Sequence, residues 1–427
     1  MEDEATRDMP RRTFLGLAAA GTAELAVGLS PSGANRAAGA SGQKEDRSMR
    51  TCRYWMHGFR GEPKATAKAL KAAGFDVVVA GGAAVIEAVN AAGMRSWLCG
   101  GAFGLGGKSK AGDRYKAVDI TGRPQVWFSS GCPNSQVLRD GNLKSYEKMA
   151  ATPGIAGILV DGCRFASPAS GMGPFFTCFC ETCRKKAGGL GFDFDRIQRD
   201  VRALYDSLTG KASAKRSGRA AWLETPVGVV EYLVTHPGVL DWLRFRRTCA
   251  TEHFRAIGKI IHGAKLRMGV YIFTPSLAPL VGQSYVELRT FVDVFAPMIY
   301  RNYPKRPGPA CLNWELTILP EELGLAGNPA EKQAMGLILA WTGLAEIVSA
   351  RTIKDVRAAL PPEAVGHQTA MARALIGRGK ELAPIIYIND PLMEQTADGV
   401  RRNGADGVNF FVFQKEWADL VRPGIVK

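Results

Sequence analysis

Short runs of Val, Ile, Leu and Phe recur along the chain, and between them the apolar positions fall into helical spacing. The runs predict eight strands, at 52–57, 75–80, 94–99, 155–161, 267–273, 292–300, 384–389 and 407–413. The Ala-rich segments 63–73 and 83–92 predict helices between neighbouring strands. Strands that are apolar nearly end to end belong to a parallel sheet covered on both faces. Eight such β–α units predict an α/β fold, a closed (β/α)8 TIM barrel. An open dinucleotide-binding sheet is the alternative, and no Gly-x-Gly-x-x-Gly follows the first strand to favour it. Three connections are long: 100–152, 162–266 and 301–383. The barrel is therefore expected to carry insertions after strands 3, 4 and 6, at the end where barrels place their chemistry.

The amino terminus breaks this pattern. Pro10-Arg11-Arg12-Thr13-Phe14-Leu15-Gly16-Leu17 has the paired arginines of a twin-arginine signal. The mildly apolar stretch that follows is interrupted by Glu24, and small residues at Ala37, Ala38 and Ala40 offer a peptidase site. The other reading is an ordinary amphipathic helix after a basic pair. The expected organisation is a signal peptide at 1–40, a polar linker at 41–49 and the barrel at 50–427. The twin-arginine translocation machinery is then a partner, and the destination is periplasmic or secreted. No other run approaches the ~20 apolar residues a membrane span needs, so none is expected in the mature chain.

Composition changes this picture little. A hydrophobic fraction of 46% suits one large, well-filled core. The net charge of +15 invites a nucleic-acid reading. The basic residues are scattered, however, and no helix-turn-helix or zinc-finger spacing appears, so no nucleic-acid partner is expected. Weak attraction for acidic polysaccharides or anionic membrane surfaces is the consequence expected instead.

Nine cysteines cannot all pair internally. Cys178, Cys180 and Cys183 form a Cys-x-Cys-x-x-Cys knuckle, and Cys132 lies upstream in Gly-Cys-Pro-Asn-Ser. Four soft thiolates suit a closed tetrahedral Zn²⁺ site with no position left for water, hence a structural metal. In an exported chain, one or two disulfides among the same four are the competing reading.

Candidate chemistry lies at the strand ends. Strand 4 ends at Asp161, with Arg164 three residues on, where a cation would keep the carboxylate ionised. A structural Asp capping the loop is the alternative. Strand 7 ends at Asn389-Asp390-Pro391, so Asp390 is a second carboxylate, or else a turn residue. Carboxylates ending strands 4 and 7 can flank one bound sugar at a barrel mouth, and two carboxylates across one sugar are what glycoside hydrolysis needs. Glu315, in the third insertion, is a spare acid. Substrate contacts are sought in Trp55 and His57 after strand 1, Arg164, Tyr300 and Arg301 after strand 6, Asn389, and Gln414 after strand 8. Glu416 is a further polar candidate there. Trp127, Trp222, Trp242 and Trp314 suit core or sugar platform equally.

Cys132-Pro-Asn-Ser followed by Cys178-Phe-Cys180-Glu-Thr-Cys183 resembles the zinc cluster of family 42 glycoside hydrolases, the bacterial β-galactosidases. In that family a Cys-Pro-x-Ser segment precedes strand 4 and a cysteine knuckle follows it. The resemblance covers residues 125–190 and, beyond them, only the barrel outline. It implies a glycoside hydrolase with a carbohydrate substrate and a structural zinc. One departure bears on activity. The family's strand 4 ends in an Asp-Asn-Glu-like segment whose Glu is the acid/base, whereas this chain reads Asp161-Gly162-Cys163. A thiol cannot replace that carboxyl. Asp-Gly-x-Arg and Ala-Pro-Met-Ile-Tyr are similar instead to glycosyl-hydrolase-like barrels of exported bacterial proteins. In sugar-cleaving barrels more broadly, an Asp ending strand 4 serves as nucleophile. The expectation is a glycoside hydrolase using paired carboxylates; the alternative is a barrel that binds carbohydrate without cleaving it.

Overall fold

Eight parallel strands close on themselves in a computed structural model that describes residues 52–107, 112–210, 225–303 and 310–413. The twin-arginine segment, the linker 41–49, Trp222, Gln414 and Glu416 lie outside these residues. The strands are β1 (Arg53–His57), β2 (Val77–Val79), β3 (Arg95–Gly100), β4 (Ile155–Val160), β5 (Arg267–Phe273), β6 (Val294–Met298), β7 (Ile385–Tyr387) and β8 (Gly407–Phe411). Hydrogen-bonded neighbours run β7-β8-β1-β2-β3-β4-β5-β6, and Ile385 of β7 pairs with Met298 of β6 to close the ring. The fold is therefore the expected (β/α)8 barrel. Several strands are shorter than expected because their apolar ends run past the ladder into loops.

Strand alternation explains the lumen. Trp55 and Trp97 point inward from β1 and β3 and meet edge to face, ring centroids 4.9 Å apart. Glycines on facing strands make room for them. A Cβ on Gly157 would lie 2.6 Å from the Trp97 ring, and one on Gly269 3.2 Å from it. Gly407 serves likewise, 3.3 Å from the Trp55 indole nitrogen. The next inward positions toward the carboxyl ends include His57, Asp161, Tyr271, Tyr300 and Asn409, which form a polar layer over this aromatic plug.

The helices between β1, β2 and β3 are Pro63–Ala72 and Ala83–Ala91. Glu62 caps the first, accepting from Lys64 N at 3.0 Å and Ala65 N at 2.7 Å. The β3–β4 insertion folds as a two-residue hairpin, Ala117–Val118 against Pro124–Gln125, then the helix Gln136–Ala150. The β4–β5 insertion is largely helical and ends in the long helix Pro237–Gly263. Among the described residues, no helix is long and apolar enough to cross a membrane.

Candidate active site and thiol cluster

Asp161 directly follows β4. Its backbone N–H donates to Gly100 O at 2.7 Å, which fixes it at the barrel mouth, and its Oδ1 accepts from Gly162 N at 2.7 Å. The residue is only partly exposed. Lost hydration raises its pKa; Arg164 and the Gly162 N–H oppose the rise without cancelling it. Arg164 thus acts in the expected direction, against a larger effect of burial.

Arg164 is buried, its guanidinium 4.8 Å over the Phe273 ring and donating to Phe165 O at 2.9 Å. Burial lowers its pKa, while Glu315 and Asp161 support its charge. Arg164 is thus a nearby positive charge for one carboxyl from the β4 loop and one from the β6 loop. Glu315 is buried and accepts from Ser167 Oγ at 2.8 Å, Ala169 N at 2.8 Å and Ala310 N at 2.9 Å. Burial raises its pKa against those three donors and Arg164.

Asp390 does not stand free at the mouth, contrary to expectation. It is buried in a two-pronged ion pair with Arg301, whose Nε lies 2.6 Å from Oδ2. Leu392 N at 2.9 Å, Asn302 Nδ2 at 3.1 Å and Thr396 Oγ1 at 3.3 Å take up its remaining acceptor capacity. Arg301 also donates to Leu360 O, so neither member faces a ligand. The pair pins the loops after β6 and β7. Trp55 is likewise no platform: it is 1% exposed, inside the lumen. Trp127 and Trp242 are core residues, and Trp314 is half-buried. Tyr300 is buried against Phe411, centroids 5.3 Å apart. Asn389 is half-buried, its amide 3.5 Å from Tyr387 Oη.

A polar chain that the sequence reading missed runs beneath the mouth. Asn409 Nδ2 donates to Tyr271 Oη at 3.2 Å, and Tyr271 Oη lies 2.8 Å from His57 Nδ1. With Asn409 donating, the tyrosine proton points to His57 Nδ1, and the imidazole carries its own proton on Nε2. Burial lowers the His57 pKa to about 4, so the ring is neutral near pH 7. A signal was present: Asn409 interrupts the apolar run Gly-Val-Asn-Phe-Phe, and Tyr271 shares the inward parity of Gly269.

The four predicted cysteines converge. Their sulfurs all lie within 4.8 Å of one another, with Cys132 Sγ 3.5 Å from Cys180 and 3.6 Å from both Cys178 and Cys183. Zn–S bonds of ~2.3 Å place tetrahedral sulfurs ~3.8 Å apart, close to this spacing, whereas a disulfide needs ~2.05 Å. Val118 N donates to Cys178 Sγ at 3.4 Å and Asn134 Nδ2 to Cys183 Sγ at 3.3 Å, as partners of thiolate ligands do. Beside them Arg246 is fully buried. Its guanidinium lies 3.7 Å over Trp242 and donates to Thr177, Phe175 and Leu280 carbonyls. Among the described residues no carboxylate pairs with it; the charges supporting its protonation are Cys178 and Cys183. The donor set fits a divalent metal held by thiolates, whose net negative charge would balance Arg246.

No protein-family profile matches the chain, and no curated protein is similar to it in sequence. Solved structures are similar in outline. The β-galactosidase of Bacillus circulans sp. alkalophilus aligns at 13% identity and TM-score 0.48, over 85% of this chain and 50% of its own. This chain thus spans about half the length of that enzyme. The catalytic domain of β-amylase from Paenibacillus polymyxa aligns at 14% and 0.47, over 85% and 92% of the two chains. The PgaB glycoside hydrolase domain of Bordetella bronchiseptica aligns at 12% and 0.47, over 84% and 94%.

Proposed function

We propose that this chain is an exported glycoside hydrolase that works at the carboxyl mouth of its barrel on a poly- or oligosaccharide. Asp161 is the general acid. The observation that carries this reading is a carboxyl at the end of β4, partly exposed, whose pKa is raised by lost hydration. Such a group keeps its proton to higher pH than an exposed carboxyl, as a donor to a glycosidic oxygen must. Glu315, the other acid candidate, is buried with both oxygens accepting from Ser167, Ala169 and Ala310, so Asp161 is the one carboxyl of the three candidates that the mouth presents. The His57 Nε2–H and the Asn389 amide bind sugar hydroxyls. Asp161→Asn should lower hydrolysis of a responsive glycan by about 10²–10⁴ while binding persists. Full activity in that variant would remove Asp161 from the chemistry.

A second reading, a barrel that binds carbohydrate without turnover, has its own support. Cys163 is fully buried where the resembling family has its acid, and Asp390 is locked to Arg301. Saturable glycan binding with no hydrolysis across a broad panel would select it.

The thiol cluster holds a structural Zn²⁺, to be checked by elemental analysis for about one zinc per chain. Export uses Arg11 and Arg12. Replacing both with Lys should retain the protein in the cytoplasm, and undiminished export would exclude the twin-arginine route.

A further inference from the structure

Arg246, in the long helix Pro237–Gly263, is the largest charge in the interior that no carboxylate matches among the described residues. It is fully buried, and a guanidinium keeps its proton even there. Its donors are satisfied by dipoles alone. Nε donates to Thr177 O at 3.1 Å, Nη1 to Leu280 O at 2.8 Å, and Nη2 to the Phe175 and Thr177 carbonyls. Its guanidinium carbon lies 3.7 Å from the Trp242 ring centre and 5.2 Å from that of Phe165. Carbonyls and rings replace the water that burial removed, but they leave a net positive charge inside the protein.

The cysteine knuckle is where a countercharge is available. Thr177, whose carbonyl accepts from both Nε and Nη2, directly precedes Cys178. The charges that favour the guanidinium are those of Cys178 and Cys183. Four thiolates on a divalent ion leave a net charge of about −2. Val118 N and Asn134 Nδ2 donate to two of the sulfurs, but they bring no charge. Two other cations at this part of the core, Arg139 and Lys186, already share Glu252, at 3.4 and 2.6 Å. The sulfurs otherwise pack among Ala117, Trp127, Phe165 and Phe245, which offer an anion nothing. An anionic centre short of a cation and a cation short of an anion are therefore neighbours.

We propose that Arg246 is a positioning residue of the metal centre: its charge, held against the knuckle by the Thr177 carbonyl, sets how tightly the four thiolates hold their ion. The inference rests on the reading of the cluster as a metal site and is independent of what the barrel mouth does. Without the guanidinium, the anionic centre has only dipoles to stabilise it, and the ion is held less tightly. The carbonyl bonds alone would make Arg246 a fastener of the knuckle backbone; the charge makes it part of the metal site.

The test compares the full chain as wild type, Arg246→Gln and Arg246→Lys. Gln keeps an N–H donor for the Thr177 carbonyl and loses the charge; Lys keeps the charge and loses the planar fork. Zinc affinity is read by competition with a chelator, and the cobalt(II)-loaded protein by its thiolate-to-metal charge-transfer absorption. Arg246→Gln should bind zinc about 10–100-fold more weakly. Its cobalt band should move to lower energy, because a positive charge beside sulfur stabilises the electrons that the transition removes. Arg246→Lys should lie nearer wild type in both measurements. Equal zinc affinity in wild type and Arg246→Gln, or an unmoved band, overturns the proposal. Arg246→Lys losing as much as Arg246→Gln also overturns it, because hydrogen bonds rather than charge would then be responsible. If Arg246→Gln does not fold, Arg246→Lys decides alone, and a loss of zinc affinity as large as about tenfold overturns the proposal. A wild-type chain that binds neither zinc nor cobalt is a different result: it removes the metal reading itself, and this inference with it.

Discussion

At the scale of single residues, protonation decides what the mouth can do. An acid works while it holds its proton, so kcat/KM should fall as pH rises through the raised pKa of Asp161. Arg164 opposes that rise, so Arg164→Met should move the alkaline limb of the pH–rate profile to higher pH. An unmoved limb would mean another group is the acid. Two buried histidines contribute to acid stability. Burial depresses His57 to about 4 and His253 to about 3, from 6.5. Between pH 6.5 and about 4 the unfolded chain binds protons that these native rings refuse, so stability present above that window is lost as pH falls. Urea midpoints should drop across it, and less steeply in His253→Gln. Sequence spacing located Asp161 and His57, but not the burial that raises the Asp161 pKa. Spacing reveals a neighbouring charge such as Arg164, whereas desolvation depends on what packs around the carboxyl.

Elements are set by local pattern, and their terminal groups by what they pack against. The strands were legible because parallel, doubly covered strands are apolar throughout. The fate of Asp390 was not, since its partner Arg301 is distant in sequence and meets it only when β6 and β7 pair. Removing one partner of a buried pair costs ~3–5 kcal/mol, so Asp390→Asn should lower the unfolding midpoint sharply. Its activity per folded molecule should stay near wild type, unlike that of Asp161→Asn; a loss of turnover without loss of stability would return Asp390 to the chemistry. The lumen glycines are a second test of packing. Gly157→Ala would put a methyl 2.5 Å from Arg267 O, and a cost of ~1–3 kcal/mol in chemical denaturation is expected.

For the whole molecule, the thiol cluster joins two neighbouring insertions: Cys132 comes from the β3–β4 connection and the knuckle from the β4–β5 connection. A closed metal site contributes folding free energy, so Cys180→Ser or a strong chelator should lower Tm together with zinc content. A metal-free protein of unchanged Tm would rule out a structural ion. By itself the sequence determined the barrel and the cysteine set, because periodicity and ligand spacing are local properties of a chain. Only the tertiary structure decided which charged groups are matched. It buried Trp55 and tied Asp390 to Arg301. Burial and ion pairing depend on distances between residues far apart in the chain, and those distances exist only once the ring of strands has closed.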